Sequence, residues 1–242
     1  MKKINGILIF ICLFASCKDK GINQNVTIQQ ALDFPPDSTF NVGFLVMDGT
    51  YNTELTAPFD IFQHTIFREG IKPMSVFTLA KDQNSIRTFE GLEIIVDYRY
   101  MLDSVPPIDI LVVPSAEHHL DTDLEDEVMI NQVRTWSEEA LYVTSHCDGA
   151  FVLAQAGLLD SVNCTTFPSD IEIFKERFQR PLVHEDVWFV HDDKFITSAG
   201  GARSFEAALY VCDLLYGPEV TKRIAQGLVL DYVLEDMPYK RF

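Results

Sequence analysis

VTSHCDGAFVLAQAGLLD, residues 143–160, contains a strand, a sharp turn and a helix in one short run. The β-branched start predicts a strand over 141–145, and the apolar run beyond it predicts a helix over 150–159. Cys147 lies at the junction, and Gly149 permits the tight backbone that such a turn requires. Open α/β sheets place their sites at the carboxyl ends of strands, so this junction is where we expect a functional side chain.

The rest of the chain repeats this alternation of strand and helix on either side of the junction. Apolar runs predict buried strands, and apolar residues at helical spacing predict amphipathic helices. Strands are predicted over 40–47, 74–80, 108–113, 187–191 and 195–197, with a hairpin over 85–98 and an extended piece over 163–167. Helices are predicted over 54–68, 124–139, 169–178, 203–216 and 220–230. This order is typical of a single α/β domain with a mostly parallel sheet sandwiched by helices, which we place at residues 39–242.

The charge of the chain excludes several kinds of partner. The 242 residues carry 36 acidic and 19 basic side chains, a formal net charge of −17, while 47% hydrophobic content is enough to form a core. A surface this negative repels phosphate backbones, so we expect no nucleic-acid partner. It also disfavours a basic patch on anionic lipid.

The N-terminus reads as an export signal. Two lysines follow the first Met, an apolar run covers 7–14, and small Ala15 and Ser16 precede Cys17. The run is too short to span a bilayer, which favours a secretory signal at 1–16. The small-small-Cys ending resembles the lipobox of bacterial lipoproteins, and this resemblance implies that Cys17 is lipidated. A plain signal peptide with a chance cysteine is the alternative.

The segment 17–38 is polar, lacks an apolar period and ends at Pro35-Pro36, so we interpret it as a flexible tether. Together with the signal, it predicts a domain anchored to the bacterial cell envelope, in contact with the membrane through its lipid only.

The cysteines beyond the tether number three, so at least one stays free even in an oxidising compartment. They are Cys147, Cys164 and Cys212. At the start of a helix, unpaired N–H groups and the helix dipole favour a thiolate at Cys147, and Asp148 N–H can point at a developing oxyanion. A buried structural cysteine is the alternative.

At this point the chain resembles a family. Cys147-Asp148-Gly149-Ala150 followed by AQAGLLD looks like the cysteine elbow of the ThiJ/PfpI superfamily, with its flavodoxin-like, class I glutamine amidotransferase-like fold. The branch it resembles contains isonitrile hydratase and the sensor domains of AraC-type regulators. Three further motifs occur in the family's order, and the resemblance extends over 40–232. They are ELTAPFDIF at 54–62, IDILVVPSAE at 108–117 and FITSAGGARSFEAALYVCDLLYG at 195–217.

The resemblance implies roles for residues around Cys147. Glu54 matches an acid that approaches the cysteine sulfur, which suits a general acid/base; an acid placed only by the helix dipole is the alternative. Asp148 stands where the branch often has Thr. Ser115 and Ala116 replace the two glycines of a Pro-Gly-Gly loop, whose N–H groups can complete an oxyanion hole.

Phe167 occupies the position at which many relatives carry His, so no Cys-His dyad forms there, which weakens a peptidase or glyoxalase interpretation. His118 and the neighbouring His119 follow the loop and are expected at the mouth of the site. His146 is expected to line the pocket or shape the elbow. We expect Ala202 and Arg203, after a glycine pair, to touch ligand.

No histidine pair has the spacing of a helical metal motif, and the glycine pair does not match a nucleotide-binding loop, so neither metal nor cofactor is expected. The sequence therefore predicts an exported, cysteine-dependent enzyme of hydratase or lyase type acting on a small electrophilic molecule. Two alternatives are open: a small-molecule binding protein without catalysis, and a redox sensor. Because relatives are commonly dimers, a homodimer is also expected.

Overall fold

Residues 39–242 are described by a computed structural model; the predictions of a signal at 1–16, a lipidated Cys17 and a tether at 17–38 lie outside these residues. These residues form twelve strands and six α-helices. The strands are β1 Phe40–Leu45, β2 Met74–Ala80, β3 Ser85–Arg87, β4 Glu93–Ile95, β5 Tyr98–Arg99, β6 Ile110–Val113, β7 Tyr142–His146, β8 Asn163–Cys164, β9 Leu182–Val183, β10 Phe189–Asp192, β11 Phe195–Ser198 and β12 Tyr239–Arg241. The helices are α1 Asn52–Gln63, α2 Glu127–Glu139, α3 Gly149–Gln155, α4 Ile171–Arg177, α5 Arg203–Tyr216 and α6 Pro218–Gly227.

Eight strands form the central sheet, in the order β12-β10-β11-β7-β6-β1-β2-β5. All neighbours in it run parallel except β10 and β11. The predicted mostly parallel sheet is therefore confirmed. The hairpin predicted over 85–98 is also present, because β3 and β4 pair antiparallel outside the main sheet.

Helices cover both faces of the sheet, which explains why its central strands are apolar throughout. On β6, Ile110 and Val112 pack with residues of α1, α5 and α6. Leu111 and Val113 point the other way and pack with residues of α2, α3 and α4. Alternate side chains of one strand thus serve two separate cores, as expected for a strand buried on both faces.

The predicted helices are all present; α5 has the predicted ends, and the others have shifted ends. The helix predicted over 54–68 ends at Gln63 and continues as the 3₁₀ turn His64–Phe67. Within residues 39–242, no helix has the length and apolar character needed to cross a bilayer.

Candidate functional site

The elbow between β7 and α3 holds Cys147 in a strained backbone conformation. Its φ is 55°, a left-handed value that L residues adopt rarely. Cys147 N–H donates to Ser198 O at 3.0 Å, which ties the elbow to β11. A Cβ added to Gly200 would lie 2.3 Å from Cys147 Cβ, and one added to Gly149 would lie 2.0 Å from Val113 O. Both glycines are therefore required by close backbone packing around the cysteine.

The thiol of Cys147 is buried, with 7% of the residue exposed. Its Sγ donates to Asp148 Oδ2 at 3.6 Å. Burial raises the pKa of the thiol far above its ordinary value, and the charges of Asp148 and Glu54 raise it further, while the Ser115 hydroxyl opposes the rise. Burial and the two carboxyls therefore oppose the thiolate that the start of the helix is expected to favour.

Glu54 lies in the first turn of α1 and is buried beside the cysteine. Its Oε1 accepts a hydrogen bond from Gly201 N–H at 2.8 Å. This bond joins the start of α1 to the turn before α5, so the carboxyl is held in place by backbone rather than by a flexible side chain. Glu54 and Cys147 are distant in the sequence. The parallel pairing of β1, β6 and β7 brings their segments together.

The side chain of Asp148 turns towards the sulfur. The Thr166 hydroxyl lies 3.1 Å from Asp148 Oδ1 and 3.1 Å from Cys147 O, so one side chain secures both elbow residues. Burial raises the pKa of Asp148 to about 7, and the nearby Asp170 carboxyl adds to the rise, while hydrogen bonds from Thr166 and Cys147 oppose it.

The loop after β6 supplies fewer free N–H groups than predicted. Ala116 N–H donates to His119 Nδ1 at 3.2 Å, so Ala116 is corrected from an oxyanion donor to a partner of His119. Burial lowers the pKa of His119 to about 3, which keeps its ring neutral with the proton on Nε2. Among the residues described, Ser115 N–H has no assigned acceptor, which leaves it for an oxyanion, while Asp148 N–H is directed at the Cys147 sulfur.

A cavity of about 320 Å³ adjoins the elbow on the Thr166 side. Arg203 and Trp188 line it, with the guanidinium 3.6 Å from the indole centroid. Arg203 also pairs with Glu206 at 3.1 Å, so its charge is partly balanced. Ala202 is exposed at the start of α5 and is absent from the cavity wall.

The histidines predicted near the site separate in the structure. His118 lines a different pocket, together with Asp48 and Lys81, and contacts Asp121 at 3.2 Å. Its expected place at the mouth of the cysteine site is therefore not found. His146 is buried at the end of β7; burial lowers its pKa to about 3, and neither ring nitrogen has a partner within residues 39–242.

Sequence reasoning missed Thr166, Asp170 and Tyr51. Tyr51 stacks on Phe89 with ring centroids 4.6 Å apart, and its pKa is raised first by burial and then by the charge of Cys147. A short polar segment after β8 was the available signal for Thr166 and Asp170, but only the fold shows that it returns to the elbow.

The other two cysteines within residues 39–242 lie in the hydrophobic cores and not at the elbow. Cys164 and Cys212 are free and fully buried, one in each core. The part of the chain covered by 39–242 contains no group of three or more side chains suited to hold a metal ion.

Comparisons with known proteins agree with this fold. Residues 41–213 match the DJ-1/PfpI family. The chain is 26% identical over 191 residues to the isonitrile hydratase of Pseudomonas putida, covering 79% of this chain and 78% of the relative. It is 21% identical over 201 residues to the HTH-type transcriptional regulator GbdR of Pseudomonas aeruginosa, covering 83% of this chain and about half, 53%, of that protein.

Solved structures show the same architecture. The crystal structure of Drosophila melanogaster DJ-1beta superposes with a TM-score of 0.69 at 18% identity, covering 80% of this chain and 100% of the other. A ThiJ/PfpI protein from Pseudomonas syringae superposes with a TM-score of 0.68 at 19% identity, covering 83% and 82% of the two chains. With the match to residues 41–213, the sheet and the cysteine elbow, the chain belongs to the DJ-1/PfpI family.

Proposed function

We propose that this protein is a cysteine-dependent enzyme of hydratase or lyase type that acts on a small electrophilic carbon, such as that of an isonitrile, a nitrile-like compound or a carbonyl. One observation carries the proposal: a strained elbow holds the Cys147 sulfur beside two buried carboxyls, Glu54 and Asp148. Backbone strain of this kind persists only where the surrounding structure enforces it, and it concentrates at functional sites.

In this mechanism the sulfur of Cys147 adds to the electrophilic carbon and forms a C–S bond. Glu54 hands a proton to the substrate, and the N–H groups of Asp148 and Ser115 hold the charge that develops. Water then adds its hydroxyl to the same carbon and its remaining proton restores Glu54, the C–S bond breaks, and the sulfur regains the proton that it lost on attack. The net reaction is the addition of one water molecule, with no oxidant or reductant required.

Hydration is favoured over proteolysis because Phe167 stands where a dyad histidine would be needed. The isonitrile hydratase relative, which spans most of this chain, supports the same reaction class. If residues 1–16 are a signal as the sequence predicts, this chemistry takes place in the cell envelope.

The two alternatives are less well supported by the site. A redox sensor needs an exposed thiolate, whereas Cys147 is buried and its thiol pKa is raised by that burial. A binding protein without catalysis is consistent with the regulator GbdR as a relative, but binding alone does not explain two carboxyls beside a cysteine.

The test is turnover of small isonitriles, nitriles and aldehydes by the full chain and its variants. Cys147→Ala is expected to abolish turnover, and Glu54→Gln to reduce it about 100-fold or more, as loss of a general acid/base does. Cys212→Ala, which removes a buried thiol on α5, is the matched control and should retain turnover. Full activity of the Cys147 variant would contradict the proposal, and saturable binding without turnover would favour the binding alternative.

A further inference from the structure

The proposed function leaves the proton of the thiol to be explained, and the inference below rests on that function. Cys147 is buried and its pKa is raised, so at neutral pH the sulfur carries a proton that must leave before a C–S bond forms. A proton acceptor must therefore lie within hydrogen-bond reach of Sγ. Glu54 Oε1 already accepts Gly201 N–H, which fixes the carboxyl towards the backbone of the α5 turn.

Asp148 meets the geometric requirement. Its Oδ2 accepts the hydrogen bond of the thiol at 3.6 Å. Its Oδ1 lies 3.1 Å from the Thr166 hydroxyl, so the carboxyl is oriented with one oxygen held by Thr166 and the other directed at the sulfur. The proton can pass along an existing hydrogen bond without movement of the backbone.

Asp170, just before α4, supplies a second carboxyl whose negative charge acts on Asp148. A negative charge close to the buried Asp148 carboxyl disfavours its ionised form. Burial and Asp170 together raise the pKa of Asp148 to about 7, close to the pH at which proton transfer is most effective.

We propose that the Asp148 carboxylate accepts the proton of the Cys147 thiol as the sulfur attacks, and that Asp170 is a positioning residue that keeps this carboxylate basic. The S–H bond breaks, an O–H bond forms on Asp148, and the sulfur electron pair forms the new C–S bond. When the C–S bond later breaks, Asp148 returns the proton to sulfur. Glu54 remains free to protonate the substrate.

Asp148 also has an effect that opposes proton transfer. Its negative charge lies beside the Cys147 thiol and suppresses ionisation of that thiol. The charged and titratable groups facing this carboxyl come from every neighbouring element. They are Cys147 on the elbow, Tyr51 just before α1 and Asp170 before α4. Glu54 in α1 acts on the neighbouring thiol, His119 after β6 contacts the backbone of Asp148, and Arg203 at α5 lines the cavity beside Thr166. The two effects predict opposite changes when the charge is removed.

The experiment measures alkylation of Cys147 by iodoacetamide in the folded full chain between pH 5 and 10, with peptide-resolved mass spectrometry. Asp148→Asn keeps the shape of the side chain and removes the base. It should slow alkylation at pH 7.5 about tenfold or more and abolish the inflection near pH 7. If charge alone acts, the same variant alkylates faster than the parent, and that result overturns the proposal.

Asp170→Asn tests the positioning role through the pH profile rather than through a loss of rate alone. The inflection should move about one pH unit or more towards acid, because the charge of Asp170 no longer raises the pKa of Asp148. An unmoved inflection would remove Asp170 from the proposal. Asp186→Asn is the matched control, since this exposed aspartate lines the same cavity as Thr166 and should leave the profile unchanged.

Alkylation requires no turnover, so this test stands apart from the proposed function. If Asp148→Asn slows alkylation and no electrophile is turned over, the proton transfer holds and the enzyme proposal fails. If turnover depends on Cys147 while Asp148→Asn alkylates as fast as the parent, the enzyme proposal holds and the proton acceptor is another group.

Discussion

Cys147 shows how much of a site one residue and its neighbours in the chain can reveal. The strand before it and Gly149 after it are visible in the sequence, and together they predict the elbow. The glycine pair at 200–201 is visible as well, but the sequence does not show that position 200 must lack a side chain. That requirement arises from Cys147, which is distant in the chain and approaches Gly200 only through the pairing of β7 with β11. The same holds for Thr166, whose hydroxyl reaches the elbow from the segment after β8.

Gly200→Ala should damage the site and the stability of the domain together. The new Cβ would lie 2.3 Å from Cys147 Cβ, and the φ of 79° is unfavourable for alanine. We expect a loss of about 2–4 kcal/mol in the free energy of unfolding, as for a clash that forces the backbone to move. Gly201→Ala is the control: its φ is also positive, at 55°, but nothing lies within 4 Å of the new Cβ. Urea unfolding of both variants checks this, and equal losses would show that the clash is unimportant.

Long strands could be predicted from the sequence more readily than short ones. The strands β1, β2 and β6 are apolar runs buried on both faces, and their periodicity is enough to place them. Strands β9 and β12 span two and three residues and were not predicted, because so short a segment carries no period and becomes a strand only through its partner. Helix ends shifted for a related reason, since they depend on caps and tertiary contacts.

The attachment of β10 to α5 yields a prediction at this scale. His191 Nδ1 and the Tyr210 hydroxyl are 2.8 Å apart, and both side chains are buried. Tyr210→Phe leaves the ring nitrogen without its partner and should lower the free energy of unfolding by about 1–3 kcal/mol. Tyr216→Phe is the control, because the Tyr216 hydroxyl donates to Lys72 O at the surface, where water can replace it. Chemical unfolding measures both, and a loss no greater than that of the control would contradict the prediction.

At the scale of the whole molecule, the acidic surface and the buried histidines respond to pH in different ways. The net charge of −17 predicts that the protein has no nucleic-acid partner. The net charge does not describe the interior of the domain. There, burial lowers the pKa of His119 and of His146 from the ordinary 6.5 to about 3. Composition counts six histidines but cannot show which are buried, so this property comes from the fold alone.

Acid should therefore destabilise the domain well above the range in which ordinary carboxyls titrate. The stability due to neutral His119 and His146 is complete above about pH 6.5 and is lost as the pH falls below it, because only the unfolded chain takes up their protons. Each histidine should remove about 2 kcal/mol between pH 6.5 and pH 5. Asp148 acts in the opposite direction, since its raised pKa lets the folded chain hold one more proton in this window. Urea unfolding at pH 8 and at pH 5 measures how much free energy of unfolding is lost between the two values. In His146→Gln this loss should be smaller by about 2 kcal/mol, the amount due to one histidine. The variant at pH 8 is its own reference, because His146 is neutral there in both states; an unchanged loss at pH 5 would show that His146 takes up its proton without unfolding.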